Sequence, residues 1–339
     1  MLSRANMSHP SIVTSYRRNP KEAMDPDAYR DIEGLRMLKF FDETNVRFAM
    51  GYEPEDDDVI IVSYPKCGTT WTQYIVSNLF THGNPPKTTV DFMLSSPIIE
   101  LTGVDAVRKM PRPGALMTHL PYDKCKHSSR AKYIYVTRNP YDCCVSYYHF
   151  SKYFTSTKCE DVSFDKFLSL FLSGNLLYGE YFDHLLSWYP HRDDPNVLFL
   201  TYEKLQENMA YWVLRIADFL GEQYGSAFRN DESLLQKVLD SCTVHNMKTV
   251  FTDPTKMWIR KALNLPPERR LASLEAYRHS VAHQEETHRG GGLVRKGVVG
   301  DWKNHFSLEQ IERMKHRIAE KTAVAPHVMN LWEGLQLPV

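Results

Sequence analysis

The chain is short of several features that would have narrowed its function at once. Its 339 residues carry 41 basic and 41 acidic side chains, so it lacks the basic excess of a nucleic-acid binder. No apolar stretch approaches the roughly 18 residues that a membrane span needs. The N-terminus, MLSRANMSHPSIVTSYRRNP, has charges with no apolar run behind them, which speaks against a secretory leader. The six cysteines (Cys67, Cys125, Cys143, Cys144, Cys159 and Cys242) form neither a CxxC pair nor a regular framework. Reduced thiols in a cytoplasmic protein fit that pattern. There is no internal repeat and no convincing interdomain linker; the one low-complexity spot, RGGG at 289–292, reads as a mobile loop. What remains is a chain long enough to bury a substantial core.

Four short runs rich in β-branched and aromatic residues stand out: VIIVSY (59–64), ALMTH (115–119), KYIYVT (132–137) and NVLFLTY (196–202). Each is followed by helical periodicity. In WTQYIVSNLF, Trp71, Ile75, Asn78 and Leu79 share a face, and YWVLRIADFLG stops at Gly221, a natural helix terminator. Strand and helix in alternation predict an α/β fold, a single domain with a central parallel sheet flanked by helices. Residues 1–45 are polar and proline-containing, with a short helical patch at GLRMLKFFDE. They are expected to form a peripheral arm, and 46–339 the domain itself.

The junctions after these strands carry the chemistry. Ligands of open α/β sheets bind beyond the strand C-termini, where helix N-termini offer unpaired N–H groups. In YPKCGTTW (64–71), Gly68 permits close backbone approach, Thr69 and Thr70 add hydroxyls, and Lys66 adds a full charge. This P-loop-like turn is not GxxxxGK[ST]: the lysine precedes the glycine, and the metal-holding Ser/Thr after it is missing. Lys66 can therefore arch over a phosphate and reach a leaving group. An ordinary β–α turn with a surface lysine is the plain alternative. At 138–150, RNPYDCCVSYYHF, Asn139 can cap a helix with Pro140 at its first position. Arg138 and Ser146 then offer a second anion site, against the plainer reading of an Arg paired with a carboxylate. VRKGVVGDWKNHF (294–306) places Arg295 and Lys296 before Gly297 in a flexible stretch. His119 ends another strand, where an imidazole suits general base work near neutrality.

Taken in order, YPKCGTTW, THLP (118–121), RNPYDCCVSYYHF and RKGVVGDWKNHF (295–306) resemble the cytosolic sulfotransferases, over roughly residues 45 to 325. The resemblance implies a donor, 3′-phosphoadenosine 5′-phosphosulfate (PAPS), and a product nucleotide, PAP. It implies that Lys66, Cys67, Gly68, Thr69 and Thr70 hold the 5′-phosphosulfate, that Trp71 stacks on adenine, and that Tyr202 contacts it. Arg138, Ser146, Arg295, Lys296 and Gly297 would hold the 3′-phosphate, with His119 as base and Lys66 at the bridging oxygen. No metal is expected, because a sulfuryl group carries less negative charge than a phosphoryl group. The expected partner is a small apolar acceptor that takes the sulfuryl group on a hydroxyl or an amine, with no nucleic acid and no membrane.

Three departures from the family pattern stand out. Met117 occupies a position where a lysine commonly precedes TH. Cys242 to Val244 replace a hydroxyl residue and an aromatic that sandwich the adenine. In KNHFSLEQIE (303–312), Ser307 and Leu308 replace the TV pair of the family's dimer motif, so a homodimer is possible but its motif is degenerate. Phe92, Ile98, His149 and Phe150 are expected to line an apolar acceptor pocket, for a phenol or catecholamine in the first place and a hydroxysteroid or other alcohol in the second. Two other functions stay open: a non-catalytic PAP-binding protein, and a P-loop-type nucleotide kinase.

Overall fold

A computed structural model describes residues 26–154, 162–282 and 293–339. Residues 1–25 of the expected arm, Cys159, and the RGGG stretch at 289–292 lie outside the described residues. The four sequence-predicted strands form one parallel sheet of β3 (Val59–Val62), β4 (Ala115–Thr118), β5 (Lys132–Thr137) and β6 (Val197–Thr201), in the order β4-β3-β5-β6. Every residue of β3 and β4 is buried. Near-continuous apolar strands are what a sheet covered on both faces requires.

Six helices matter for the site, here labelled α1 (Thr69–Phe80), α2 (Ile99–Lys109), α3 (Pro140–Phe154), α4 (Tyr202–Glu207), α5 (Val244–Val250) and α6 (Thr255–Leu263). The chain leaves β3 through α1 and reaches β4 at one edge. It then crosses back to β5 on the other side of β3. That reversal leaves a crevice at the C-terminal ends of the strands. Asn139 caps α3 as expected, its Oδ1 accepting the Asp142 N–H at 2.9 Å. Gly221 ends the Met209–Leu220 helix, also as expected. Among the described residues no helix is long and apolar enough to cross a membrane.

One sequence expectation is corrected. GLRMLKFFDE is not helical: β1 (Tyr29–Ile32) and β2 (Leu35–Leu38) pair as an antiparallel hairpin. Glu33 (φ 50°) and Gly34 (φ 81°) turn it, both left-handed, the geometry that matches strand twist in a two-residue turn. Leu35 and Met37 are buried while Arg36 between them is not, so the operative period is two, not 3.6. Residues Tyr29, Ile32, Leu35, Met37, Leu38 and Phe41 join the main core. The stretch that reads as polar arm thus contributes a packed face.

Ile134 lies at the middle of β5 and is fully buried. Ile134→Ala is expected to lower unfolding stability by about 2–5 kcal/mol, measured by urea denaturation. A loss under about 1 kcal/mol would mean that this sheet is not the packed centre of the domain.

Candidate active site

Each of the four parallel strands delivers a candidate residue from its C-terminal end. Lys66 follows β3, His119 follows β4, Arg138 follows β5 and Tyr202 follows β6. All four line one cavity of about 260 Å³. The same wall includes Gly68, Thr69, Thr70, Trp71, Ser146, Arg295, Lys296 and Gly297.

The turn after β3 is built for close approach of an anion. Lys66 has φ 71° and Gly68 φ 107°, so the backbone passes twice through the left-handed region and turns successive N–H groups to one side. A Cβ at Gly68 would sit 2.9 Å from the Tyr202 ring. Gly68 is also the N-cap of α1 and supplies no side-chain cap. The first N–H groups of a 12-residue helix are left open to the cavity, with the helix dipole behind them. Gly297 (φ 68°) closes the opposite wall, where a Cβ would collide with Val244 at 2.1 Å.

Electrostatics point the same way. The cavity is lined by Lys66, Arg138, Lys256, Arg295 and Lys296, and among the described residues no Asp or Glu lines it. Burial pushes the Lys66 amine down to about 8, and the neighbouring Arg138 adds to the shift. Its ammonium rests 4.3 Å from the centroid of the Phe150 ring, a cation–π contact that orients it. Arg138 is 7 % exposed. It stacks at 4.3 Å over Tyr202 and donates to the Val298 carbonyl at 2.8 Å, yet its buried Nε has no acceptor. A buried guanidinium N–H without an acceptor is costly in a closed protein and useful in a site that takes an anion. Arg295 and Lys296 are held differently. Both donate to Asp301, at 2.7 and 2.8 Å. Burial works against that carboxylate, but the hydrogen bonds from Lys296 and Arg295 win and hold it well below the usual range.

His119 faces the cavity with its ring fixed. Nδ1 lies 2.7 Å from the Ser63 carbonyl oxygen, so Nδ1 donates and Nε2 keeps its lone pair. Burial, reinforced by the Lys66 charge and opposed by that carbonyl, lowers the imidazole to about 4. It is therefore neutral at pH 7 and able to accept a proton.

Trp71 meets Tyr202 edge-on at 5.3 Å and donates through Nε1 to the Cys242 carbonyl at 3.0 Å. Val244 and Met247 of α5 continue this apolar wall, in the stretch where the sequence departs from the family's aromatic. Met117, where a lysine is common, is buried against the cavity and adds no charge.

Ile98, His149 and Phe150 line the cavity as expected, but Phe92 and Cys67 do not. Phe92 is fully buried against Tyr74 and Phe251, because α1 packs over that side of its helix. Cys67 points into the core with its Sγ 3.6 Å from that of Cys143, and its N–H donates to the Tyr64 carbonyl at 3.3 Å. Sequence reasoning missed Phe41, Leu101, Tyr178, Lys256, Trp258 and Leu293, all lining residues. Tyr178 had a readable signal, the YG pair of a turn: it sits at φ 68° with its ring 5.0 Å from that of His119.

Comparison with known proteins supplies an independent line. Residues 56–258 and 268–325 match the model of the sulfotransferase domain. The chain is 34 % identical to sulfotransferase 2A1 of Rattus norvegicus over 315 residues, covering 91 % of this chain and all of that one. It is 30 % identical to the amine sulfotransferase of Oryctolagus cuniculus, covering 86 % and 87 %. Among solved structures, mouse sulfotransferase SULT7A1 complexed with PAP superposes with a TM-score of 0.64 at 26 % identity, over 90 % of this chain and 97 % of that one. Retinol dehydratase in complex with androsterone and PAP superposes at 0.62 with 19 % identity, over 86 % and 88 %, a likeness of fold alone.

If Lys66 is the titrating cation of this cavity, inorganic pyrophosphate should bind less tightly as pH rises through about 8, because the ammonium is lost there. Calorimetric titration between pH 6 and 9.5 checks this. Lys66→Met should bind weakly with no such step; a step that persists in Lys66→Met would assign the titration elsewhere.

Proposed function

We propose that this chain, which belongs to the sulfotransferase family, moves the sulfuryl group of PAPS to the hydroxyl of a flat apolar acceptor. The observation that carries the reading is the meeting of Lys66 and His119 in one cavity that is rich in cations and free of lining carboxylates among the described residues. The residues present fit the donor. The open N-terminus of α1 with Lys66, Thr69 and Thr70 suits the 5′-phosphosulfate, and the unpartnered Nε of Arg138 with Ser146 suits the 3′-phosphate. Trp71 and Tyr202 offer faces for adenine.

The chemistry then falls to two side chains. His119 takes the acceptor's proton at Nε2 as the hydroxyl attacks sulfur. Lys66 neutralises the charge that grows on the bridging oxygen as the S–O bond breaks. The imidazole gains proton affinity when negative charge arrives beside it, which brings a base lowered to about 4 nearer to working pH. The protein contributes positioning and preorganised charge, the main resources in transfers of this type.

The kinase alternative finds no support. A metal-dependent kinase needs a carboxylate by the phosphates. The one group of three carboxylates close enough together to share a metal ion among the described residues, Glu55, Asp57 and Asp58, precedes β3 at the opposite end of the strand. For the acceptor, the phenol option is favoured over the catecholamine, because an ammonium would meet cations and no lining carboxylate.

His119→Ala is expected to lower kcat for a phenol such as 2-naphthol by about 10²–10⁴-fold while PAP affinity stays nearly unchanged; a fully active variant rejects the base assignment. Arg138→Ala should weaken PAP far more than a nucleotide lacking the 3′-phosphate, measured by calorimetry, and equal losses would reject the proposed phosphate assignment. Neutral phenols should exceed phenolic ammonium acceptors of the same size in kcat/KM at pH 7; the reverse order would overturn the charge argument.

A further inference from the structure

We propose that Glu100 is a positioning residue for the base: its carboxyl holds the main chain at His119 and so sets where the imidazole points. The inference rests on the reading of His119 just given. Glu100 is the last residue of SSPIIE (95–100), a segment pinned in three ways. Ile98 bridges to Met117 beside β4, the Pro97 carbonyl accepts the Met117 N–H at 2.9 Å, and Gln73 of α1 donates to the Ser96 carbonyl at 3.0 Å. These contacts carry Glu100, in the first turn of α2, to the C-terminal end of β4.

There one carboxylate oxygen accepts twice. The His119 N–H donates to Oε1 at 2.6 Å and the Thr118 hydroxyl donates to the same atom at 2.9 Å. Thr118 is the last residue of β4 paired with β3, so the His119 N–H lies just past the ladder. Glu100 supplies its acceptor. The histidine is thereby fixed at both ends: its backbone by Glu100, its ring by the Ser63 carbonyl. The side chain is fully buried and does not line the cavity. Its second oxygen is buried and faces the phenol of Tyr178.

A carboxyl here is an expensive way to satisfy one N–H and one hydroxyl. Burial pushes it up to about 7, against the hydrogen bonds from His119 and Thr118. Glu100 touches the main chain of His119 and not its ring, which is held by the Ser63 carbonyl. It acts on the base through geometry and not through charge. An amide of the same length should therefore serve almost as well, and a side chain without the oxygen should not.

The test uses the full chain with 2-naphthol and PAPS. Glu100→Leu is expected to lower kcat about 30-fold, a misplacement effect, with the KM for PAPS and the PAP dissociation constant within about twofold of wild type. Glu100→Gln should restore kcat to within about threefold. Unchanged kcat in Glu100→Leu, PAP affinity lost in step with kcat, or no rescue by Glu100→Gln each overturns the proposal. Should Glu100→Leu fail to fold, Glu100→Asp withdraws the oxygen by one methylene and should show the kcat loss; wild-type kcat there overturns it equally. Turnover of 2-naphthol by the unaltered protein, measured first, separates failure of this inference from failure of sulfuryl transfer itself.

Discussion

Positive charge gathered in a cavity that no carboxylate lines among the described residues governs this molecule. Arg138 is buried, where losing water costs on the order of several kcal/mol per ion, Lys66 is half-buried beside it, and no carboxylate lines their cavity among the described residues. The fold tolerates the strain because the rest of the core is large and apolar. It also lowers the cost locally. Phe150 faces the Lys66 ammonium, Tyr202 stacks under the Arg138 guanidinium, and the Val298 carbonyl takes one of its N–H groups. On the proposed reading an incoming anion supplies the negative charge that the lining lacks, which favours a multiply charged ligand.

The sheet turns that charge into geometry. A parallel sheet puts all its strand C-termini at one end, and the crossing from β4 back to β5 opens a crevice there. Left-handed backbone at Lys66 and Gly68, and glycine against Tyr202 and Val244, bring main chain within reach of a ligand that side chains would otherwise keep away. Part of the wall is apolar, with Met93, Ile98, Leu101 and Met117 lining it. On the proposed reading, charge is concentrated where the donor phosphates would sit and withdrawn from the acceptor.

The strands and their terminal residues were legible because two local signals agree: short β-branched runs, and turn chemistry at their ends. Asn139 before Pro140 declares a capped helix wherever it occurs. The hairpin at 29–38 was not legible, because LRMLKFF satisfies both helical and alternating periods, and only packing decides between them. Phe92 misled for a related reason. An aromatic near a site motif has the same composition whether it faces a cavity or, like this one, Tyr74 and Phe251. Cys67 sits inside the phosphate-loop motif, yet alternation of side-chain direction through the turn sends it into the core. Phe41, Lys256 and Glu100 come from distant segments, and no local pattern encodes their convergence.

A crystal structure with PAP bound tests the central claim most directly. The expected result is a 5′-phosphate against the first N–H groups of α1 and the Lys66 ammonium, with the 3′-phosphate accepting from Arg138 Nε. Nucleotide density elsewhere, with Lys66 and Arg138 still facing an empty cavity, would contradict it.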